Sequence, residues 1–539
     1  MGNYLVGAVG LYLLCTTSAL ASSSPCPPNG QPPSPSSTGS NCEALRSLGQ
    51  ALCRSDYMDI VDGQICDDQR TYFDTVFKSW TADPRNLTIV IYIHGGLVDA
   101  EHGLAGAANL DPVLRATYPA SNAVVVPYYF IYHVGPVESV LKGDRERGLF
   151  QLYDNAQLSV AERFANTSQL RKARLADDRD HDVMTDREDW MRFGLPPMSI
   201  VGKNGSLAWA YMKQSILDGL DMTDPYMPQA QPGQTVPKED APVDASAYLD
   251  GPCLEPTAAE LDPWPHIVRN KYRWQDAGAR DFLCRLGRMI NQRPKARATN
   301  IILVGHSTGS IYVTQFIRKA QKLWTCGRAA SQKFSVIFLA PAVSYQDFDR
   351  LAMEAPDRIA QIRIFTMTDE KEKADKVLEA VVGPKFQALA DYYDHSLLYA
   401  VSGIFEPNAD EPLLGMDRFL SPDLWNKIAL HASGQVTLDQ LAEMHRVQDY
   451  INRYPGGSRA VFALSPTAGP PFASAAVDHG AFPTDCLTRQ SLKELIGEVA
   501  TGVPWGQAEA GIENVHADAS QSPPALSAVM RCTKAARHS

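Results

Sequence analysis

Six short stretches of this chain are apolar with little interruption: residues 87–93, 123–128, 300–304, 335–339, 362–367 and 459–464. The first four are rich in β-branched residues and show no alternation of apolar with polar positions. A strand that reads this way is covered on both faces, the situation of a parallel sheet sandwiched between helices. Helical patterns flank the third stretch. Residues 276–291 carry Phe282, Leu286 and Ile290 at a spacing of four, and 310–323 put Ile311, Phe316, Ile317, Ala320 and Leu323 on one side. Alternating strands and helices predict an α/β fold: a mostly parallel central sheet flanked by helices. The intervals 131–273 and 370–458 are too long for simple crossovers. They are expected to be two large structured insertions that together form a cap.

The N-terminal residues predict a different fate. Residues 5–20 are apolar, Ala19-Leu20-Ala21 follows the A-x-A pattern, and Ser22-Ser23-Ser24 comes next. This pattern is that of a secretory leader over residues 1–21, although residues 1–4 lack the usual Lys or Arg. The run falls short of the roughly 20 apolar residues that a spanning helix needs. Cys15 after Leu13-Leu14 only loosely resembles a lipoprotein box, so lipidation is the minor reading. Residues 22–41 are rich in Ser and Pro and predict a flexible tether. A single catalytic domain over 42–539 is expected beyond it, in a secreted or periplasmic protein. No other stretch of the sequence has the length and apolarity of an integral membrane segment.

Charge and cysteine content narrow the function. The net charge is −11, and no basic run is longer than the mixed Lys371-Glu372-Lys373 or Arg171-Lys172, which argues against a nucleic-acid partner. Ten cysteines are present, and in an exported chain some of them are expected to pair as disulfides. The sequence has no C-x-x-C and no H-E-x-x-H, so neither a metal nor an organic cofactor is expected. Nothing in it sets an oligomeric state.

The chemistry-bearing motif is Gly305-His306-Ser307-Thr308-Gly309, a G-x-S-x-G. By composition such a pattern arises by chance roughly 0.2 times in a chain of this length, so its context must carry the argument. The context is a strand directly before it and a helix directly after it, the setting of a nucleophile elbow. In such a turn the serine sits in strained backbone geometry, and side chains at 305 or 309 would crowd the neighbouring strand and helix. A second motif, Ile93-His94-Gly95-Gly96-Leu97, also follows a strand directly.

With these two motifs the sequence resembles the α/β-hydrolase superfamily. The resemblance implies that Ser307 is the nucleophile. It also implies that Gly96, with Gly95 close behind, and the backbone N–H of Thr308 form an oxyanion hole. The order in this superfamily is Ser, then acid, then His. Asp369, just after the strand at 362–367, stands where the acid is expected, with Glu370, Asp375, Asp347 and Asp349 as rivals. His479, in Val477-Asp478-His479-Gly480, follows the last strand and is the expected base. His306 and Leu97 are expected to contact substrate.

Together these readings predict an exported serine hydrolase that cleaves a small-molecule or lipid-like carboxylic ester through an acyl-enzyme intermediate. An amidase or peptidase would use the same triad. A binding protein on a hydrolase fold is the alternative from another class.

Overall fold

The computed structural model describes residues 52–61, 63–65, 67–96, 100–115, 123–132, 198–222, 277–375, 395–407, 411–420, 437–455, 457–466 and 473–505. The expected leader and tether lie outside them, as do Leu97, Cys15, Cys42 and Cys66. One eight-stranded sheet organises the chain. Its strands are β1 (Tyr57–Val61), β2 (Gln64–Ile65), β3 (Asn86–Ile93), β4 (Ala123–Tyr132), β5 (Thr299–His306), β6 (Phe334–Leu339), β7 (Ile359–Met367) and β8 (Phe462–Ser465). Their spatial order is β2-β1-β4-β3-β5-β6-β7-β8. Seven strands run parallel, and only the edge strand β2 is antiparallel to its neighbour β1.

Helices cover both faces: α1 (Asp67–Ala82), α2 (Ala100–Leu114), α3 (Met198–Leu220), α4 (Gly278–Gln292), α5 (Gly309–Leu323), α6 (Tyr345–Glu354), α7 (Asp369–Ala374), α8 (Leu438–Ile451) and α9 (Cys486–Thr501). The unalternated strand composition now has its cause. Leu87, Ile89, Ile91 and Ile93 of β3 enter one apolar core, and Val90 and Tyr92 enter the other. The same division holds in β5, with Ile301 and Leu303 on one side and Ile302 and Val304 on the other. Every strand side chain needs an apolar neighbour, whichever way it points.

Two parts of the fold depart from the sequence reading. Residues 457–461 form a helical turn, and strand β8 begins only at Phe462. The hairpin β1–β2 and helix α1 extend the fold on its N-terminal side. The two long intervals carry structure, as expected: α3 packs against α4, α5 and residues 401–405. Leu413 pairs with Ser344 and Met416 with Met367 as isolated β-bridges.

Phe282 of α4 is fully buried and meets the rings of Phe73, Phe77, Trp80, Tyr128, Phe130 and Phe316. The Phe282→Ala protein should lose about 3–5 kcal/mol in urea denaturation, through lost burial and the cavity left behind. Met353→Ala, at a position 59% exposed, should stay within about 0.5 kcal/mol of wild type.

Candidate active site

Strands β3 and β5 are adjacent and in register, with Ile93 opposite Gly305. The chain leaves β3 for β4 on one side and returns to β5 on the other, so a crevice opens beyond the C-terminal ends of the two strands. His94–Gly96 and Ser307–Thr308 meet there. Ser307 has φ +52°, the strained left-handed geometry expected of an elbow. The flanking glycines are required by close approach. A Cβ on Gly309 would lie 2.3 Å from the Ile93 carbonyl oxygen, and one on Gly305 would lie 2.7 Å from that of Gly309. The turn is fixed further by bonds from the Ala342 N–H and the Ser310 hydroxyl to the Ser307 carbonyl, at 3.1 and 2.6 Å.

His479, 172 residues away in sequence, brings its Nε2 to 2.8 Å from Ser307 Oγ. Both side chains are buried. Burial lowers the His479 pKa to about 3, assisted by His306, so the ring is neutral and can accept the hydroxyl proton. His306 lies beside it, with ring centroids 5.5 Å apart, and its Nε2 is 3.0 Å from the His479 carbonyl oxygen. A carbonyl only accepts, so His306 donates from Nε2. Burial holds its pKa down at about 4. Its polar contact is thus with the loop of the base.

The structure does not bring Asp369 to the His479 ring. Asp369 is the first residue of α7. Its carboxylate accepts from the Tyr399 hydroxyl and pairs with Lys373 at 2.7 Å. Against the cost of burial, these two bonds and the charge of Arg418 hold Asp369 below its usual pKa. Neither oxygen reaches the imidazole, and His479 Nδ1 has no hydrogen-bond partner among the described residues. Asp375, at the far end of α7, accepts the His479 backbone N–H at 2.9 Å. One short helix therefore separates the two carboxylates, and the later one lies against the His479 backbone. Between them sits Glu372, fully buried. Burial, opposed by the Ser396 hydroxyl and reinforced by Asp375, Asp369 and Asp417, pushes its carboxyl well above the usual range. The other rivals are engaged elsewhere. Asp349 binds Arg446 through two oxygens, and Asp347 accepts from Gln315 at 3.4 Å.

The glycine loop is held by a hydrogen-bond chain whose proton directions are determined. The Tyr132 N–H donates to His94 Nε2 at 3.1 Å, so the His94 proton is on Nδ1, which donates to the Gly95 carbonyl at 2.6 Å. The Tyr132 hydroxyl donates to the His94 carbonyl at 2.9 Å, and the Thr308 hydroxyl donates to Tyr132 at 2.5 Å. His94 and Tyr132 also stack, with centroids 4.5 Å apart. Among the described residues no acceptor takes the backbone N–H of Gly96 or of Thr308. Sequence reasoning missed Tyr132, Met212 and Glu406. All three lie in the intervals 131–273 and 370–458, and β4 runs on to Tyr132 past the expected strand at 123–128.

Among the described residues no group of three or more His, Cys, Asp or Glu side chains is arranged to hold a metal ion. None of the described helices is long and apolar enough to cross a membrane. Cys284, Cys326 and Cys486 carry thiols. Compared with known proteins, the chain matches no protein-family model, no curated protein and no solved structure.

Both His306 and His479 are depressed on folding, so the native state excludes protons that the unfolded chain binds below about pH 6.5. Their contribution to stability is complete above that pH and is lost as pH falls through 6.5 toward about 4 and then about 3. Each histidine contributes a slope of up to about 1.4 kcal/mol per pH unit. Urea melts between pH 7 and 4 should show a shallower decline for His306→Gln than for wild type. Parallel curves would show that His306 is not buried as a neutral ring.

Proposed function

We propose that this chain is a serine hydrolase of the α/β-hydrolase superfamily that cleaves carboxylic esters, exported by its N-terminal leader. The observation that carries the reading is the 2.8 Å contact between Ser307 Oγ and His479 Nε2, made with Ser307 at φ +52° on the turn into α5. A serine hydroxyl is a weak nucleophile and needs an adjacent base. His479 takes the Ser307 proton as Oγ attacks the acyl carbon, and the Gly96 and Thr308 N–H groups hold the oxyanion. His479 then protonates the leaving alcohol, and in the second half-reaction it activates water against the acyl-enzyme. Fixed N–H donors of this kind each contribute about 2.7–4 kcal/mol to the transition state. The N-terminus of α5 adds to the field that favours the negative charge.

Asp375 is the acid in this reading. It holds the base loop through the His479 backbone, and its charge stabilises the imidazolium that forms in the transition state. Asp369 instead anchors α7. The substrate is a small or lipid-like ester, and no metal or organic cofactor takes part in the mechanism.

The purified full chain should be labelled at Ser307 by a fluorophosphonate probe and should hydrolyse p-nitrophenyl acetate, and Ser307→Ala should abolish both. Hydrolysis by Ser307→Ala at the wild-type rate would refute the assignment. The two acids are separable. Asp375→Asn should lower kcat by about 10³-fold or more, by analogy with loss of a triad acid. Asp369→Asn should stay within about tenfold, since it loses a surface-facing ion pair rather than a partner of the base. The reverse ranking would restore Asp369 as the acid.

A further inference from the structure

Helix α3 lies in an interval where the sequence carries no motif, yet one of its side chains reaches the catalytic loop. Met212 is 1% exposed. A Cβ built on Gly96 would lie 2.7 Å from Met212 Sδ and 2.9 Å from both Oγ1 and Cγ2 of Thr308. The sulfur, the Gly96 backbone and the Thr308 side chain therefore meet at one point. Gly96 and Thr308 are the two residues whose N–H groups bind the oxyanion in the proposed reaction.

The loop is gripped on two sides. His94 fixes the Gly95 carbonyl on one side. On the other, Gly96 has no side chain of its own, and the Met212 thioether fills the space. An unbranched, polarisable side chain suits such an irregular gap.

The helix that carries Met212 is itself fastened along its middle and just beyond its C-terminal end. Trp209 Nε1 donates to Glu406 at 2.7 Å, and Lys213 Nζ donates to both oxygens of the same carboxylate at 3.0 and 2.8 Å. The Ser206 hydroxyl donates to the Ile404 carbonyl at 3.0 Å. Just beyond the C-terminal end, Lys319 of α5 donates to the Asp221 carbonyl at 2.8 Å. Met212 adjoins Lys213 and follows Trp209 by three residues, so the Glu406 contacts fix the turn from which the sulfur projects. A buried ion pair that is hydrogen-bonded on every side holds geometry well, whatever its net effect on stability.

We propose that Met212 is a positioning residue for the oxyanion hole: it presses Gly96 against Thr308, with α3 locked in place by Glu406. This inference rests on the serine hydrolase reading. Oxyanion donors act only when they lie about 2.7–3.1 Å from the developing charge, and misplacement by about 1 Å can cost 10²-fold in rate. The ground-state ester makes little use of those donors, so loosening the loop lowers kcat and leaves KM in place.

The test uses the full chain with p-nitrophenyl acetate, and with an aryl trifluoromethyl ketone whose hemiketal places an oxyanion in the hole. Met212→Ala should lower kcat by about tenfold or more with KM within about twofold, and raise the ketone Ki by a similar factor. Met212→Leu, which refills the volume, should recover kcat to within about threefold of wild type. A Met212→Ala protein with kcat and Ki both within twofold of wild type would overturn the proposal, as would a loss confined to KM. If Met212→Ala does not fold, Glu406→Gln takes its place: a raised Ki at unchanged KM supports the proposal and an unchanged Ki overturns it. The two readings fail differently. A wild-type chain that no fluorophosphonate labels would remove the hydrolase reading and this inference together. Normal labelling with an indifferent Met212→Ala would remove this inference alone.

Discussion

The pairing of β3 with β5 is the contact on which the other features of the site depend. Their register sets Ile93 against Gly305, so the loops that leave the two strands start level with each other. The serine turn can lie under the glycine loop only because residues 305 and 309 have no side chains, and a Cβ at either would collide with backbone rather than with a movable group. A strained nucleophile persists only where its surroundings over-determine it. Here the surroundings are two buried strands with apolar cores on both faces, and bonds to the Ser307 carbonyl from the Ala342 N–H and the Ser310 hydroxyl.

His479 reaches this frame from far along the chain and meets Ser307 there. His479 is buried and uncharged, and its backbone is tied at both polar groups, the carbonyl to His306 and the N–H to Asp375. His306 thus holds the His479 loop, which couples the serine turn to the histidine loop. The acidic side is asymmetric. Within the six residues of α7 and the one that follows, Asp369 is satisfied by Lys373 and Tyr399, Glu372 is fully buried, and Asp375 faces the base loop.

The long intervals contribute more than bulk. α3 from the first interval and 395–407 from the second are joined through Glu406, Lys213, Trp209 and Ser206, and Met212 carries that joint to the glycine loop. The segment 411–420 adds bridges to Met367 at the end of β7 and to Ser344 just before α6, and the Tyr345 hydroxyl donates to the Phe419 carbonyl. The proposed oxyanion hole is therefore supported by residues more than a hundred positions from its own glycines.

The strands, the helices around β5 and the serine turn were legible in the sequence because each depends on local pattern. A doubly covered strand must be apolar throughout, and an elbow needs small residues at fixed spacing. The candidate base was legible from its place after the last strand. Which carboxylate lies beside His479 was not legible, since Asp369 and Asp375 stand six positions apart in one acidic run and only packing decides which of them faces it. Tyr132 was hidden because a buried tyrosine at the end of a strand looks like any other core residue until its hydroxyl finds a partner. Met212 and Glu406 left no signal, because their roles come from contacts between segments distant in sequence. Local sequence determined which elements form. The meeting of His94, Met212, Ser307, Asp375 and His479 was decided by the tertiary structure, since strand order and register, not spacing along the chain, set the distances between them.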